Sequence, residues 1–166
     1  MTNEAMLHLV ADPDRARLAA DTLFAALEHD LGPQLPASAE MLHVGATAIP
    51  GCLTKGDLDV AIRVDADDFP AAAAILAARF APNAGSIRTA DFAAFEGRVM
   101  APALGLQLTV RDGQFDVFHR FAVALRADPS LVARYNALKI RCDGAPMSAY
   151  RQIKDAFIRE ILSSRP

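Results

Sequence analysis

The chain reads as a single α+β domain: a small mixed β-sheet flanked by helices, with a helical C-terminal part. Three observations predict this. From Asp57 to Val64, Leu58, Val60, Ile62 and Val64 alternate with Asp57, Asp59, Ala61 and Arg63, the period of two that marks an extended chain with one apolar and one polar face. The same period returns in Leu104, Leu106, Leu108 and Val110. In the last third the apolar residues change to helical spacing, with Leu131, Tyr135 and Leu138, then Tyr150, Ile153, Phe157 and Ile161. At 166 residues the chain suits one domain, 1–166, long enough to bury a core without disulfides or metals.

Taken in order, the run from Met6 to Val10 is a short strand or a strap across the core. Asp12-Pro13 starts a helix, with an N-cap acceptor followed by proline in the first turn, and Gly32-Pro33 ends it. Met41 to Val44 is the first central strand, and Ile49-Pro50-Gly51 is a turn. After the strand of 57–64, Asp67 or Asp68 caps a helix through Ile75, Leu76 and Phe80, which Pro82 ends. Ile87, the run from Phe92 to Met100 and the stretch Leu104 to Val110 predict strands, the last two an antiparallel hairpin around Pro102. Asp112-Gly113 is a turn, followed by a helical stripe of Phe115, Phe118, Phe121 and Leu125. Asp128-Pro129 starts the next helix, Gly144 to Pro146 breaks it, and Ser148 caps the last.

Composition narrows the function. Net charge is −3, charged residues make up 22%, and no Lys/Arg block exceeds a dipeptide, which disfavours a general nucleic-acid groove. No apolar run reaches membrane-spanning length and no signal-like N-terminus is present, so a soluble cytoplasmic protein without a membrane partner is expected. Cys52 and Cys142 lack partners at ligand or disulfide spacing and read as small apolar fillers.

The chemistry concentrates in LHVGATAIPGCLTKGDLDVAIRV, Leu42 to Val64. Asp57 and Asp59 sit two apart on one strand, so they point the same way, roughly 6–7 Å apart at their bases, a gap two carboxylates close around one divalent ion. Their alternative role is a solvated strand face or a loop-to-strand cap. Val44-Gly45-Ala46 turns the chain with backbone N–H groups outward, suited to a phosphate carried on that ion. Aspartate oxygens with a phosphate ligand select Mg²⁺ or Mn²⁺.

A glycine with a small neighbour, ten intervening residues and then acid, apolar, acid, apolar resembles the signature of the nucleotidyltransferase superfamily. The longer string from His43 through Gly45, Ala46, Thr47, Pro50 and Gly51 to Lys55 resembles the GrpB family of nucleotidyltransferase-like proteins. Phe121, Leu125-Arg126, Pro129, Tyr135, Leu138-Lys139, Tyr150, Lys154 and Phe157-Ile158 follow in the family's order, so the resemblance covers nearly the whole chain. It implies a nucleotidyltransferase-like fold. It also implies that Gly45, Ala46, Thr47 and Lys55 bind a nucleoside triphosphate while Asp57 and Asp59 hold Mg²⁺ or Mn²⁺. The nucleoside monophosphate would pass to a hydroxyl on an unknown small-molecule or protein acceptor. Domains of this family also occur fused to dephospho-CoA kinase, which makes the alternative a catalytically silent nucleotide-binding or protein-interaction module.

A transferase of this type is expected to place a third carboxylate on a neighbouring strand. Here the polar face of the last strand offers Gly105, Gln107 and Thr109, and the histidines that family relatives carry there are missing. Asp91, Glu96, Asp112 and Asp116 are nearby in sequence, and Asp116 is the candidate catalytic acid if Phe115 to Phe118 forms a short strand; its alternative is a helix N-cap. Lys55 meets a phosphate, pairs with the acids, or is simply solvated; Thr47 donates to a phosphate or holds the turn. His43 reads as structural, Lys139 and Lys154 as lysines on the wet side of helices, and Tyr135 and Tyr150 as core residues whose hydroxyls reach a polar partner.

Overall fold

The computed structural model describes residues 3–97 and 101–165. Helix α1 (Pro13–Leu31) starts where Asp12 Oδ1 accepts from the Arg15 N–H, with Pro13 in the first turn. Strands β1 (Glu40–Val44) and β2 (Leu58–Val64) follow, then α2 (Phe69–Arg79), the two-residue β3 (Ala81–Pro82), β4 (Phe92–Glu96) and β5 (Leu104–Val110). Helices α3 (Phe118–Ala127), α4 (Pro129–Cys142) and α5 (Met147–Ser163) close the chain.

The five strands form one mixed sheet in the order β1-β2-β5-β4-β3. β2 and β5 run parallel, with Asp59 opposite Gly105 and Ala61 opposite Gln107, and the other pairs are antiparallel. The alternation seen in the sequence therefore sorts into two layers of helix. Leu58, Val60, Ile62, Val64, Leu104, Leu106 and Leu108 pack with α1 and α2 on one face. On the other, Ala61 and Val44 meet Phe121, Leu125, Tyr135, Leu138, Tyr150 and Phe157 of α3, α4 and α5. The polar face of β2 is thus roofed by the C-terminal helices.

Several local expectations are corrected. The second helix stops at Arg79, and Pro82 pairs with Phe95 at the sheet edge, where a missing N–H costs nothing. Ile87 lies outside any strand and is exposed. Residues 98–100, the end of the expected run to Met100, lie outside the described residues. The third helix begins at Phe118, leaving Phe115 in the preceding turn with its ring 5.2 Å from that of Phe92. Ser148 does not cap α5; its N–H is capped from across the fold by Glu4 Oε1 at 3.0 Å. Ile153 stands off the buried face of α5.

The N-terminal segment is a strap. Met6 bridges Pro146, Leu7 N–H donates to Ala145 and its carbonyl accepts from Gly144, and Val10 N–H donates to Thr54. It ties the turn between α4 and α5 to the loop that enters β2.

Candidate functional site

Asp57 and Asp59 face one cavity of about 40 Å³, whose wall also includes Ala46, Lys55, Tyr135, Lys139, Tyr150 and Lys154. At roughly 10–15 Å³ per water, that is room for about three waters. Leu7 and Leu9 of the strap form part of the wall.

The backbone makes room for Asp59 on two sides. Gly45 has φ +76°, and a Cβ there would overlap Asp59 Oδ2 and stand 3.0 Å from its Cβ. A Cβ at Gly105, directly opposite on β5, would lie 3.0 Å from Asp59 Oδ1. The carboxylate occupies the space two side chains would otherwise fill. Burial pushes its pKa above the ordinary carboxylate range, Asp57 pushes the same way, and Lys154, Lys55 and Lys139 pull against them.

Asp57, expected as the first residue of the strand, lies just before β2, which begins at Leu58, and its Oδ2 is 2.5 Å from Lys55 Nζ. Its backbone is pinned as well, since the Thr47 hydroxyl donates to the Asp57 carbonyl at 2.8 Å. His43 Nε2 lies 2.9 Å from Thr47 Oγ1, and its Nδ1 lies 3.1 Å from Asp21 Oδ1. Burial lowers the imidazole's pKa against the pull of Asp21. Thr47 and His43 therefore brace the glycine turn, and Thr47, 2% exposed, is absent from the cavity wall.

Lys139 departs from the wet position expected of it. It is 2% exposed, its ammonium lies 3.6 Å above the Tyr135 ring and 3.1 Å from Cys52 Sγ, and it donates to the Leu53 carbonyl. Burial brings its pKa down to about 8. Tyr135 and Tyr150 share a hydrogen bond between their hydroxyls at 3.3 Å. One sequence signal does mark Lys139: it falls between Tyr135 and Cys142 at helical spacing, on the stripe that packs inward.

Asp116 is placed elsewhere. It takes Arg63 Nε and Nη2 at 2.8 and 2.7 Å, the Thr109 hydroxyl at 3.2 Å and the Asp112 N–H at 2.8 Å. Burial opposes ionisation, but these donors hold its pKa below the ordinary range. Arg63 shares the face of Asp59 four residues further along β2, roughly 13 Å at 3.3 Å per residue. Asp116 thus closes an ion pair at the far end of the strand and is no part of the cavity wall. Asp91, Glu96 and Asp112 are also absent from that wall, and among the described residues no three His, Cys, Asp or Glu side chains cluster as a metal site. The site holds two acids.

The sequence profile described as GrpB protein matches residues 13–164. The chain belongs to the GrpB family. A UPF0157 protein of Vibrio cholerae is 31% identical over 150 residues, covering 90% of this chain and 79% of that one. The crystal structure of the conserved protein GrpB from Enterococcus faecalis overlays with a TM-score of 0.70 at 18% identity, covering 88% of this chain and 92% of that one, so the GrpB fold is shared. The Cid1 poly(U) polymerase overlays with a TM-score of 0.45 at 16% identity, covering 78% of this chain and 40% of that one. Among the described residues no helix is long and apolar enough to cross a membrane.

Proposed function

We propose that this GrpB protein is a nucleotidyltransferase-like, cytoplasmic protein that binds a nucleoside triphosphate together with Mg²⁺ or Mn²⁺ at the Asp57–Asp59 cavity. The observation that carries the reading is the charge set on one wall. Two carboxylates stand with three lysines, Lys55, Lys139 and Lys154. With the lysines protonated the wall is cationic, a poor host for a free divalent ion and a good one for a cation that arrives on an anionic phosphate chain. Two carboxylates also suffice for Mg²⁺, which is usually bound through one or two carboxylates plus substrate phosphates.

The residues divide the work. Asp57 and Asp59 would hold the cation, whose charge would offset that of the phosphates. Gly45 keeps the space at Asp59 open, and Ala46 brings the turn's backbone to the wall. Lys154 would meet the phosphates from the helical roof and Lys55 from the loop, while Lys139, held by Leu53 and Cys52, adds its charge from behind the wall. The small cavity admits only the phosphate end, which leaves the nucleoside outside it.

Transfer of a nucleoside monophosphate to a hydroxyl is the further step of this reading, and the chain equips it poorly. A positioned general base typically contributes about 10²- to 10⁴-fold, and Asp116 is engaged by Arg63. A second reading, a catalytically silent nucleotide-binding or protein-interaction module of the same fold, is favoured by the absence of a third acid from the cavity wall. Calorimetric titration with ATP, GTP, CTP and UTP, with and without Mg²⁺, tests the first reading: binding is expected to be tighter with the metal than without it. No binding of any nucleotide in either condition would reject it.

A further inference from the structure

The position a cation would take at Asp57 is held by a side chain of the protein itself. Lys55 Nζ lies 2.5 Å from Asp57 Oδ2, on the wall of the cavity Asp59 shares. The pair is open to solvent, with the Lys55 side chain 40% and the Asp57 side chain 26% exposed, and such pairs contribute only about 0–1 kcal/mol. The contact is therefore easily exchanged for another.

The backbone beneath it is fixed. Thr54 is buried, its carbonyl accepts from Val10 of the strap at 2.9 Å, and its hydroxyl accepts from the Gly56 N–H at 2.9 Å. Gly56, with φ +99°, makes the turn between Lys55 and Asp57 that a side-chain-bearing residue rarely adopts. Lys55 can thus change partner by side-chain rotation alone, while Asp57 stays in place.

A free divalent cation approaching this site meets unfavourable terms. Asp57 is occupied, no third acid stands on the wall, and two further lysines repel it. A cation arriving with a phosphate chain meets different ones, because the phosphates give the displaced ammonium a new partner.

We infer that Lys55 is a built-in stand-in for the cation: it neutralises Asp57 in the ligand-free protein and passes to phosphate when metal and nucleotide enter together. The two ligands are then coupled through one side chain, and each raises the affinity for the other by the same factor. This rests on the metal-nucleotide reading above, and assigns to Lys55 the coupling between its two components.

The test uses the full chain and Mn²⁺, whose free form is counted by electron paramagnetic resonance, with and without a non-hydrolysable nucleoside triphosphate. For Lys55→Met the expected result is opposite signs: Mn²⁺ alone binds up to about fivefold tighter than to the parent, at the lower end of the usual coupling between sites, while the Mn-nucleotide binds more weakly. Lys55→Arg keeps the charge and is expected to bind free Mn²⁺ as weakly as the parent. If Lys55→Met leaves free Mn²⁺ affinity unchanged or lowers it, the inference is overturned even where Mn-nucleotide binds well. If the parent binds no nucleotide at any Mn²⁺ concentration, the functional reading itself fails, and the transfer of Lys55 to phosphate with it.

Discussion

Gly45 and Asp59 pack so closely that a methyl group on one would overlap the carboxylate of the other. The contact links the turn after β1 to the polar face of β2, and it explains why a glycine stands at this point in terms beyond backbone freedom.

Gly51 supplies the control, since its φ of +78° matches the +76° of Gly45 but nothing lies within 4 Å of a Cβ added there. Both Gly→Ala changes carry the left-handed backbone cost of about 1 kcal/mol. Gly45→Ala should lose in addition about 1–3 kcal/mol for the overlap, and should displace Asp59. Urea unfolding of the two variants checks this, and equal losses would show that the close approach carries no energy.

Asp59 gives a signed pH dependence. Its folded pKa lies above its ordinary 3.8, so its contribution to stability is fully present below 3.8 and is lost as pH rises through the raised folded value. Asp59→Asn removes the buried charge with little change in shape. The variant should therefore unfold at a higher temperature than the parent near neutral pH, with the difference shrinking toward pH 4 and below. Calorimetric melting across pH reads it, and an Asn variant less stable at neutral pH would contradict the burial argument.

Asp116 should behave in the opposite sense. Its folded pKa lies below 3.8, so the stability it gives is present above that value and is lost as pH falls through the depressed one. Asp116→Ala leaves Arg63 with only Glu40 and the distant Asp112, and removal of one partner from a buried pair costs about 3–5 kcal/mol. Chemical denaturation is expected to show a loss of that order, while Mg-nucleotide binding to the folded variant is unchanged. A stable Asp116→Ala protein that no longer binds would place Asp116 at the site after all.

How far these relationships were legible depended on their range along the chain. The period of two from Leu58 to Val64 located Asp59 on a polar face, and the same period in β5 anticipated that Gly105 and Gln107 look the same way, because strand alternation is local. Asp12 and Asp128 were legible as caps because their partners are two or three residues away. Asp116 was not, because Arg63, which decides its role, lies 53 residues earlier. Ser148 was misread as a cap for the same reason, its N–H being satisfied by Glu4, 144 residues away. Lys139 was misjudged by residue type: its position on the inward stripe was visible, but the Cys52, Leu53 and Tyr135 contacts that make its burial tolerable are set by tertiary packing.

Paramagnetic broadening by Mn²⁺ delivered with a non-hydrolysable nucleoside triphosphate tests the metal-nucleotide site most directly, because it reports both whether the complex binds and where. Amide signals of Ala46, Thr54 and Tyr150, all on the wall of the Asp57–Asp59 cavity, should broaden beyond detection. Those of Ile140 and Ala156, on the far groove between α4 and α5, should persist, and Asp59→Asn should restore the lost signals. Broadening centred on the α4–α5 groove or on the groove lined by Phe24, His119 and Val123, or signals unchanged throughout, would contradict the assignment of the site.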